Sequence, residues 1–464
     1  MMTFLRGALA ATLLLSAQSA RAQSAAETFT LDRAIQYAAE HYPSVRAAVE
    51  QVSASTAGVS LARAAYLPRL DSLWQSNRAT ANNIFGQVLP QSVIPSLTGP
   101  VLPSTASQSV WGSATGALFT WEPVDFGLRS ASVAGAEAAV TQARAGEALT
   151  RLEVQSAVGA AFLNVVAAGR GVVAAQADVE RRDALAQTVH ALVDNQLRPG
   201  ADASRVDAER AAAQTRLIQA QQTLTIAQVT LARVLGGGAG QIRVDAAGLL
   251  ERMPPNDTPA TTANDAAHPL AQARQAAIDA AVAQQQVLAR TDLPRIYLQS
   301  SVFARGSGAN ANGTFDGGAD GLGLERANWA AGIQIVFPNV FDFASLRARQ
   351  AAAAANARVE TARHDEALLT ISSQRQAAAA IVQAARAVAA NTPIQVAAAR
   401  QSMTQATARY QAGLTGITDV ADAQSLVSQA EFQDEVARVD VWRALLGQSV
   451  AIGDLEPFLR MLRQ

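Results

Sequence analysis

The chain has 464 residues, 37 basic against 38 acidic side chains for a formal charge of −1, and no cysteine; every basic residue is arginine. That balance leaves no electrostatic footprint for nucleic acid, and the missing cysteine argues against disulfides, thiolate metal sites, cysteine nucleophiles and a lipid-bearing cysteine. His41, His190, His268 and His364 lie far apart with no metal-ligand spacing, so neither a metal, a cofactor nor a catalytic constellation is expected.

Met1 to Arg6 carries one positive charge, Gly7 to Leu15 is apolar, and Ala20-Arg21-Ala22 offers a small-x-small cleavage site. Residues 1–22 are read as an export signal, with the mature chain starting near Gln23. No later segment approaches about 20 unbroken apolar residues, so no transmembrane helix is expected and any membrane passage falls to strands.

Residues 23–236 form a first unit. Thr30 is an N-cap with Asp32 in the first turn, and the helix runs to about Tyr66, stopped by Pro68. Strands are expected at about 69–78 and 110–121; in the second, Trp111, Ser113, Thr115, Ala117, Phe119 and Trp121 share a face. Between them lies a long polar and Pro-rich stretch, Ala81 to Ser109. An Ala/Gln/Arg-rich helix follows from about Asp125 to Gln196, then a turn at Gly200. The next helix carries a seam, Leu217, Ala220, Leu224, Ala227, Leu231 and Val234, in three- and four-residue steps. Leu235-Gly236 ends it; the Gly-rich run beyond lacks a Lys-Ser/Thr and reads as a helix terminator, not a phosphate loop. Residues 237–263 are an irregular connector.

Residues 264–464 repeat the plan. Strands are expected at about 295–305 and 328–338, with Trp329, Ala331, Ile333, Ile335 and Phe337 on one face. The intervening Gly306 to Arg326 includes Asp316-Gly317-Gly318-Ala319-Asp320-Gly321, which lacks the spaced ligands and terminal Glu of a calcium loop and reads as a surface loop. A second long helix runs from Asp342 to Gln411, with a kink expected at Pro393, a turn at Gly413 and a last helix with Leu446-Gly447 at its end. The landmarks hold one order at roughly 210–230 residues' separation: Leu67-Pro68-Arg69 with Leu293-Pro294-Arg295, Trp111 with Trp329, and Gly200 with Gly413. The chain is a duplicated helix–strand–strand–long helix–helix unit, mainly α.

Each strand has about the 9–12 residues that cross a tilted bilayer path. Four strands cannot close a barrel, and open edges in lipid cost several kcal/mol per unpaired group. The chain must therefore associate. Three chains of four strands give twelve, an even number able to close; two or four chains are not excluded. Trp111, Trp121, Trp329 and Phe337 near strand ends suit a membrane interface or, equally, plain strand packing.

Leu31-Asp32-Arg33-Ala34-Ile35 with His41-Tyr42-Pro43-Ser44-Val45, the Leu-Pro before each first strand, the two Leu-Gly pairs, and Tyr410-Gln411-Ala412-Gly413 with Ile417-Thr418-Asp419-Val420 and Asp422-Ala423 resemble the outer membrane efflux proteins, the TolC-type channels. The resemblance implies a homotrimer whose twelve-stranded barrel in outer membrane lipid continues into a twelve-helix periplasmic tunnel. The tunnel docks through a periplasmic adaptor protein on an inner-membrane transporter and performs no chemistry. It also implies that Asp419, Asp422 and Tyr410 form the periplasmic aperture, with Thr415 where a basic residue is frequent and Val206 where an aspartate is expected. Gly200 and Gly413 would mark the helix-turn tips that meet the adaptor. A periplasmic coiled-coil adaptor or structural rod is the competing reading of the same helices, and the strand pairs weigh against it.

Overall fold

The computed structural model describes residues 28–80, 93, 107–236, 243–251, 254, 264–310, 314–338 and 342–463; the expected leader and most of the 81–109 and 237–263 connections lie outside them. The elements run β1 (Thr28–Phe29), α1 (Leu31–His41), α2 (Pro43–Ala64), β2 (Arg69–Thr80), β3 (Ser109–Val124), α3 (Leu128–Asp194), α4 (Gly200–Val234), β4 (Arg243–Val244) and α5 (Ala247–Glu251). After a 3-10 turn (Asp265–Ala267) come α6 (Pro269–Leu288), β5 (Arg295–Ser307), β6 (Arg326–Val336), α7 (Phe343–Gln411), α8 (Ile417–Ile452) and α9 (Glu456–Arg463). Two compact units result. One comprises Met1–Glu50, Arg144–Ala273 and His364–Gln464, the other Gln51–Ala143 and Arg274–Arg363.

Two helix boundaries depart from the sequence reading. The first helix is two, because Tyr42 before Pro43 takes an extended conformation, ψ 134°, the region that a following proline favours. Thr30 does cap α1, its side chain accepting from the Arg33 N–H at 3.4 Å. Leu446-Gly447 is no helix end. α8 continues through Gly447 to Gly453, whose φ of +84° supplies the left-handed stop. Pro393 lies inside an uninterrupted α7.

In the strand-bearing unit, β2, β3, β5 and β6 form one antiparallel sheet in that order. Register fixes its faces. Leu70 pairs with Phe119, Trp74 with Thr115, Trp121 with Leu298, Val302 with Trp329, and Leu298 with Ile333. Because side chains alternate, these share one face, and Trp74 (73%), Trp329 (78%) and Ile333 (70%) are strongly exposed. The opposite face carries Asp71, Gln75, Asn77, Gln299, Ser301, Gln334 and Asn328. Gly116 sits opposite Phe303, and a Cβ there would fall 2.8 Å from Phe303 Cβ, so the close approach requires glycine. The β3–β5 register shifts between Trp121 and Val124, a bulge where β3 leaves the sheet. Beyond it Phe126 and Gly127 take positive φ, and the Asp125 carboxylate accepts from the Gly127 and Arg129 N–H groups and the Arg129 guanidinium, starting α3. Burial pushes that carboxyl up; the hydrogen bonds and charge from Arg129 and Gly127 outweigh it and hold it below the usual range.

The other unit is a helix assembly whose core joins Ile35, Val45, Phe162, Leu163, Leu231, Leu445, Trp442 and Phe458. The expected α4 seam faces inward: Leu217, Leu231 and Val234 are buried. The described part of the connector, residues 243–251, holds a strand and a short helix. Arg243 and Val244 pair in parallel with Thr28 and Phe29, and the Trp442 indole donates to the Leu249 carbonyl at 2.9 Å. Contrary to expectation, α3 is long and apolar enough to cross a membrane by length and composition. Its Val158, Phe162, Leu163 and Val166 are spent on the helix core instead.

Candidate functional site

The two helix turns, α3 to α4 and α7 to α8, repeat one backbone hydrogen-bond pattern 217 residues apart. In the first, Leu197 N–H donates to Leu192 O (2.8 Å) and Gln196 N–H to Val193 O (2.8 Å). In the second, Leu414 N–H donates to Arg409 O (2.9 Å) and Gly413 N–H to Tyr410 O (3.0 Å). Both are helix ends closed by a left-handed residue, Gly413 at φ +74° and Gln196 at φ +61°. Gly413 therefore matches Gln196, not Gly200, which is the first residue of α4. Thr415 matches Arg198 and Asp419 matches Asp202 by the same offset, which also carries Gly236 to Gly453.

Tyr410 is the centre of this end. It is 1% exposed and packs with Ala186, Val189, Val206, Ile417 and Val420. Its hydroxyl donates to Asp202 Oδ2 at 3.0 Å. Arg198 lays its guanidinium 4.2 Å from the ring centroid and donates to the Tyr410 carbonyl. Burial, then the hydrogen bond and charge of Asp202, push the phenol up to about 12 against an opposing pull from Arg198. Val206 belongs to this apolar pocket, and its neighbour Asp207 turns outward to His190 Nε2 at 3.0 Å.

Asp419 and Asp422 lie on the first turns of α8, three residues apart on one exposed face. Among the described residues neither carboxylate meets a cationic side chain. Thr415 Oγ1 is buried without a hydrogen-bond partner among the described residues. One chain thus brings Tyr410 to Asp202 and Arg198, and leaves Asp419 and Asp422 exposed. Among the described residues no group of three His, Cys, Asp or Glu could hold a metal.

Sequence reasoning missed a second polar cluster, further along the same helices. Arg182, 2% exposed, reaches Asp178 Oδ1 (3.0 Å), Glu209 Oε2 (2.8 Å) and Ser425 Oγ (3.2 Å), joining α3, α4 and α8. Asp178 also accepts from Arg216 (2.9 Å) and Ser428 (2.5 Å). Burial raises the Asp178 carboxyl; the Ser428 and Arg216 hydrogen bonds and the charges of Arg182 and Arg216 prevail and hold it below 3.8. The i,i+4 spacing of Asp178 and Arg182 was the available signal.

On the sheet Trp121 and Trp329 are exposed and Trp111 is half-buried; Phe337, exposed too, follows the last residue of β6, and the Trp121 indole donates to the Tyr66 carbonyl at 3.1 Å. Arg78 lies 5.8 Å from the Trp111 ring centroid.

Sequence comparison matches residues 34–237 and 263–447 to the family described as "Outer membrane efflux protein". Among solved structures the chain is similar to the outer membrane protein VceC of Vibrio cholerae, at 18% identity over 91% of this chain and 96% of that one, TM-score 0.70. It is similar to the Campylobacter jejuni outer membrane channel CmeC, at 12% identity over 91% and 85%, TM-score 0.72. The open state of the Neisseria gonorrhoeae outer membrane channel MtrE matches at 18% identity over 91% and 89%, TM-score 0.67. No curated protein sequence matches.

Proposed function

This chain belongs to the outer membrane efflux protein family, and on that premise we propose that it is the exit duct of a tripartite efflux or type I secretion system. The family comprises TolC-type channels, not enzymes, of the outer membrane and reaching into the periplasm. In our reading three copies associate, twelve strands close in outer membrane lipid, and twelve helices form the tunnel below. The mature chain is two repeats, 23–236 and 264–464, joined by the 237–263 connector and preceded by the 1–22 signal. Substrates pass from an inner-membrane transporter, through a periplasmic adaptor docked near the Gln196–Gly200 and Gly413 turns, to the exterior.

One observation carries this reading: the four-stranded sheet is apolar and exposed on one face and polar on the other, and among the described residues no further strand pairs with its outer strands β2 and β6. In water such a face is unfavourable, and in hydrocarbon such edges are. Closure with two more copies satisfies both, turning Trp74, Trp329 and Ile333 to lipid and Asn77, Gln299 and Gln334 to a wet lumen. Trp111, Trp121, Trp329 and Phe337 then anchor the band at its interfaces. At the periplasmic end Tyr410, Arg198 and Asp202 hold the α7–α8 turn to the α3–α4 turn within each chain. Symmetry gathers three copies of Asp419 and Asp422, six carboxylates, around one axis beside Thr415. The β2–β3 and β5–β6 connections face the exterior.

Membrane fractionation followed by native mass spectrometry tests the reading. A trimer in the outer membrane fraction is expected. A soluble monomer retaining its strand content would overturn it and favour the periplasmic adaptor or rod.

A further inference from the structure

The 217-residue offset between Leu197 and Leu414, or Gly236 and Gly453, relates whole helices. It carries the end of α3 at Asp194 to the end of α7 at Gln411, and the start of α4 at Gly200 to the start of α8 at Ile417. Contacts made by one repeat can therefore be projected onto the other. Inside the chain α3 lies against α8. Asn164 Oδ1 accepts from the Arg443 guanidinium at 2.7 Å, and Arg170 donates to Glu435 at 2.6 Å. Two glycines of α3 make room for α8 side chains: a Cβ on Gly159 would fall 2.7 Å from Leu446 Cδ2, and one on Gly171 3.3 Å from Phe432 Cε2.

Projected by the offset, the α3 side of this contact becomes Gln376, Ile381, Ala387 and Val388 on α7. The α8 side becomes Thr215, Ile218, Ile226 and Val229 on α4. All eight of these side chains are exposed, and Ile218, Ile226, Val229, Ile381 and Val388 are each more than half exposed. They are not the positions that hold the two helices in the chain, where Leu217, Leu231 and Val234 of α4 and Val382, Ala389 and Ala399 of α7 are buried. The chemistry changes in the projection. Arg170 and Glu435 become Ala387 and Ile218, and Asn164 and Arg443 become Ile381 and Ile226. A contact that is polar within the chain has an apolar counterpart on two open faces. Separate molecules meeting there would bury branched aliphatic side chains and desolvate no charge.

We propose that the α7 face of one copy packs on the α4 face of the next, in the register that α3 keeps on α8. Ile381 then lies beside Ile226, Ala387 beside Ile218, Val388 beside Thr215 and Gln376 beside Val229. The proposal rests on the trimeric duct reading and assigns its helical interface. The two faces are different, so the contact is head-to-tail, and a symmetric pair would leave one face of each copy bare. Three such contacts close a ring in which polar seams within chains alternate with apolar seams between them.

The chain has no cysteine, so introduced pairs report alone. A disulfide requires Cα atoms within about 7 Å. The tightest in-chain contact, Gly159 with Leu446, projects to Gln376 and Val229. Oxidised full-length V229C/Q376C in mild detergent should therefore run as a covalent trimer on a non-reducing denaturing gel. Each single variant should stay monomeric, and the two singles coexpressed should give a dimer band. Q222C/Q376C is out of register by seven residues, about 10 Å of helix, and should yield at least about tenfold less covalent product. I226C/I381C, joined by a short bifunctional thiol reagent, is a second in-register pair should V229C/Q376C fail to assemble. Trimers on a native gel with neither in-register pair joined would overturn this interface and leave the duct standing. Equal yields from Q222C/Q376C and V229C/Q376C would overturn the register. Wild type that runs only as a monomer would overturn the duct and the interface with it.

Discussion

Replacing Tyr410 by Phe removes one oxygen and keeps everything else in the pocket between the two helix turns. The ring still fills the space among Val189, Val206 and Ile417, and Arg198 still stacks on it. Lost is the 3.0 Å hydrogen bond to Asp202. A hydrogen bond to a charged acceptor contributes about 1.5–3 kcal/mol, and because Asp202 is half-exposed and regains water, the lower end applies. About 1.5 kcal/mol is roughly a tenfold change in an equilibrium constant. If the three turns of a trimer release together, the contributions sum to about 4.5 kcal/mol, a shift of roughly a thousandfold in the open-to-closed ratio. Single-channel recording reads that ratio directly. The Y410F/D202N double variant should open no more than the stronger single variant, since both remove the same bond. A Y410F trimer gating like wild type would refute the idea that this bond holds the aperture.

Asp419→Ala with Asp422→Ala should leave trimers intact, raise conductance and weaken both cation selectivity and block by multivalent cations; unchanged currents would place the constriction elsewhere. Asp178→Asn leaves Arg182 short of a buried partner and should cost about 3–5 kcal/mol, read as earlier unfolding in denaturant or heat. The same carboxyl sits below 3.8 in the folded chain, so its contribution is present above that pH and is lost as pH falls through the depressed value; D178N should flatten the acid limb of the stability profile. Tyr410 behaves oppositely: its phenol is raised from 10.0 to about 12, so its contribution is full below pH 10 and is lost as pH climbs toward 12. Y410F should remove that alkaline loss. Gly116→Val, whose Cβ would meet Phe303 Cβ at 2.8 Å, should block strand pairing, whereas Gly332→Ala, with open space around it, should assemble normally on a native gel.

The sequence disclosed the β3 face because Trp111, Phe119 and Trp121 fall on alternate positions with only Ser113, Thr115 and Ala117 between them, and the α4 seam because its steps are helical. β2 was harder to read: Ser72 and Ser76 dilute its outward face, and only pairing with Phe119 and Thr115 identifies it. The bulge at Trp121 involves two strands and cannot be read from one. At the two helix turns, Tyr410 and Gly413 were visible, but Arg198 and Asp202 were not. The first turn places Gln196 where the second uses glycine, so aligning glycines slid the two halves out of step. Gly447 misled in the same way, being an ordinary interior residue of α8 with open space beside it. The Asp178–Arg182 spacing is written in the chain, yet its burial depends on Glu209, Arg216, Ser425 and Ser428 arriving from two other helices.

If the sheet closes with two further copies as proposed, its outer strands set the timetable of biogenesis. A lone subunit would then carry outer edges on β2 and β6 that no further strand pairs with among the described residues, and whose N–H and C=O groups water can satisfy and hydrocarbon cannot. It therefore has to meet its companions before or during entry into the bilayer, and an isolated inserted subunit is not a station on the route. Maturation then rises more steeply than in proportion to expression, and slow encounter leaves tryptophan-rich subunits exposed to chaperones and proteases. Genetics feels the same stoichiometry. A subunit with a proline in β6 would spoil any ring it joins, so for the proposed ring of three an equal mixture with the normal gene product leaves roughly one ring in eight free of it. Such an allele is dominant, and its severity counts the subunits in the ring.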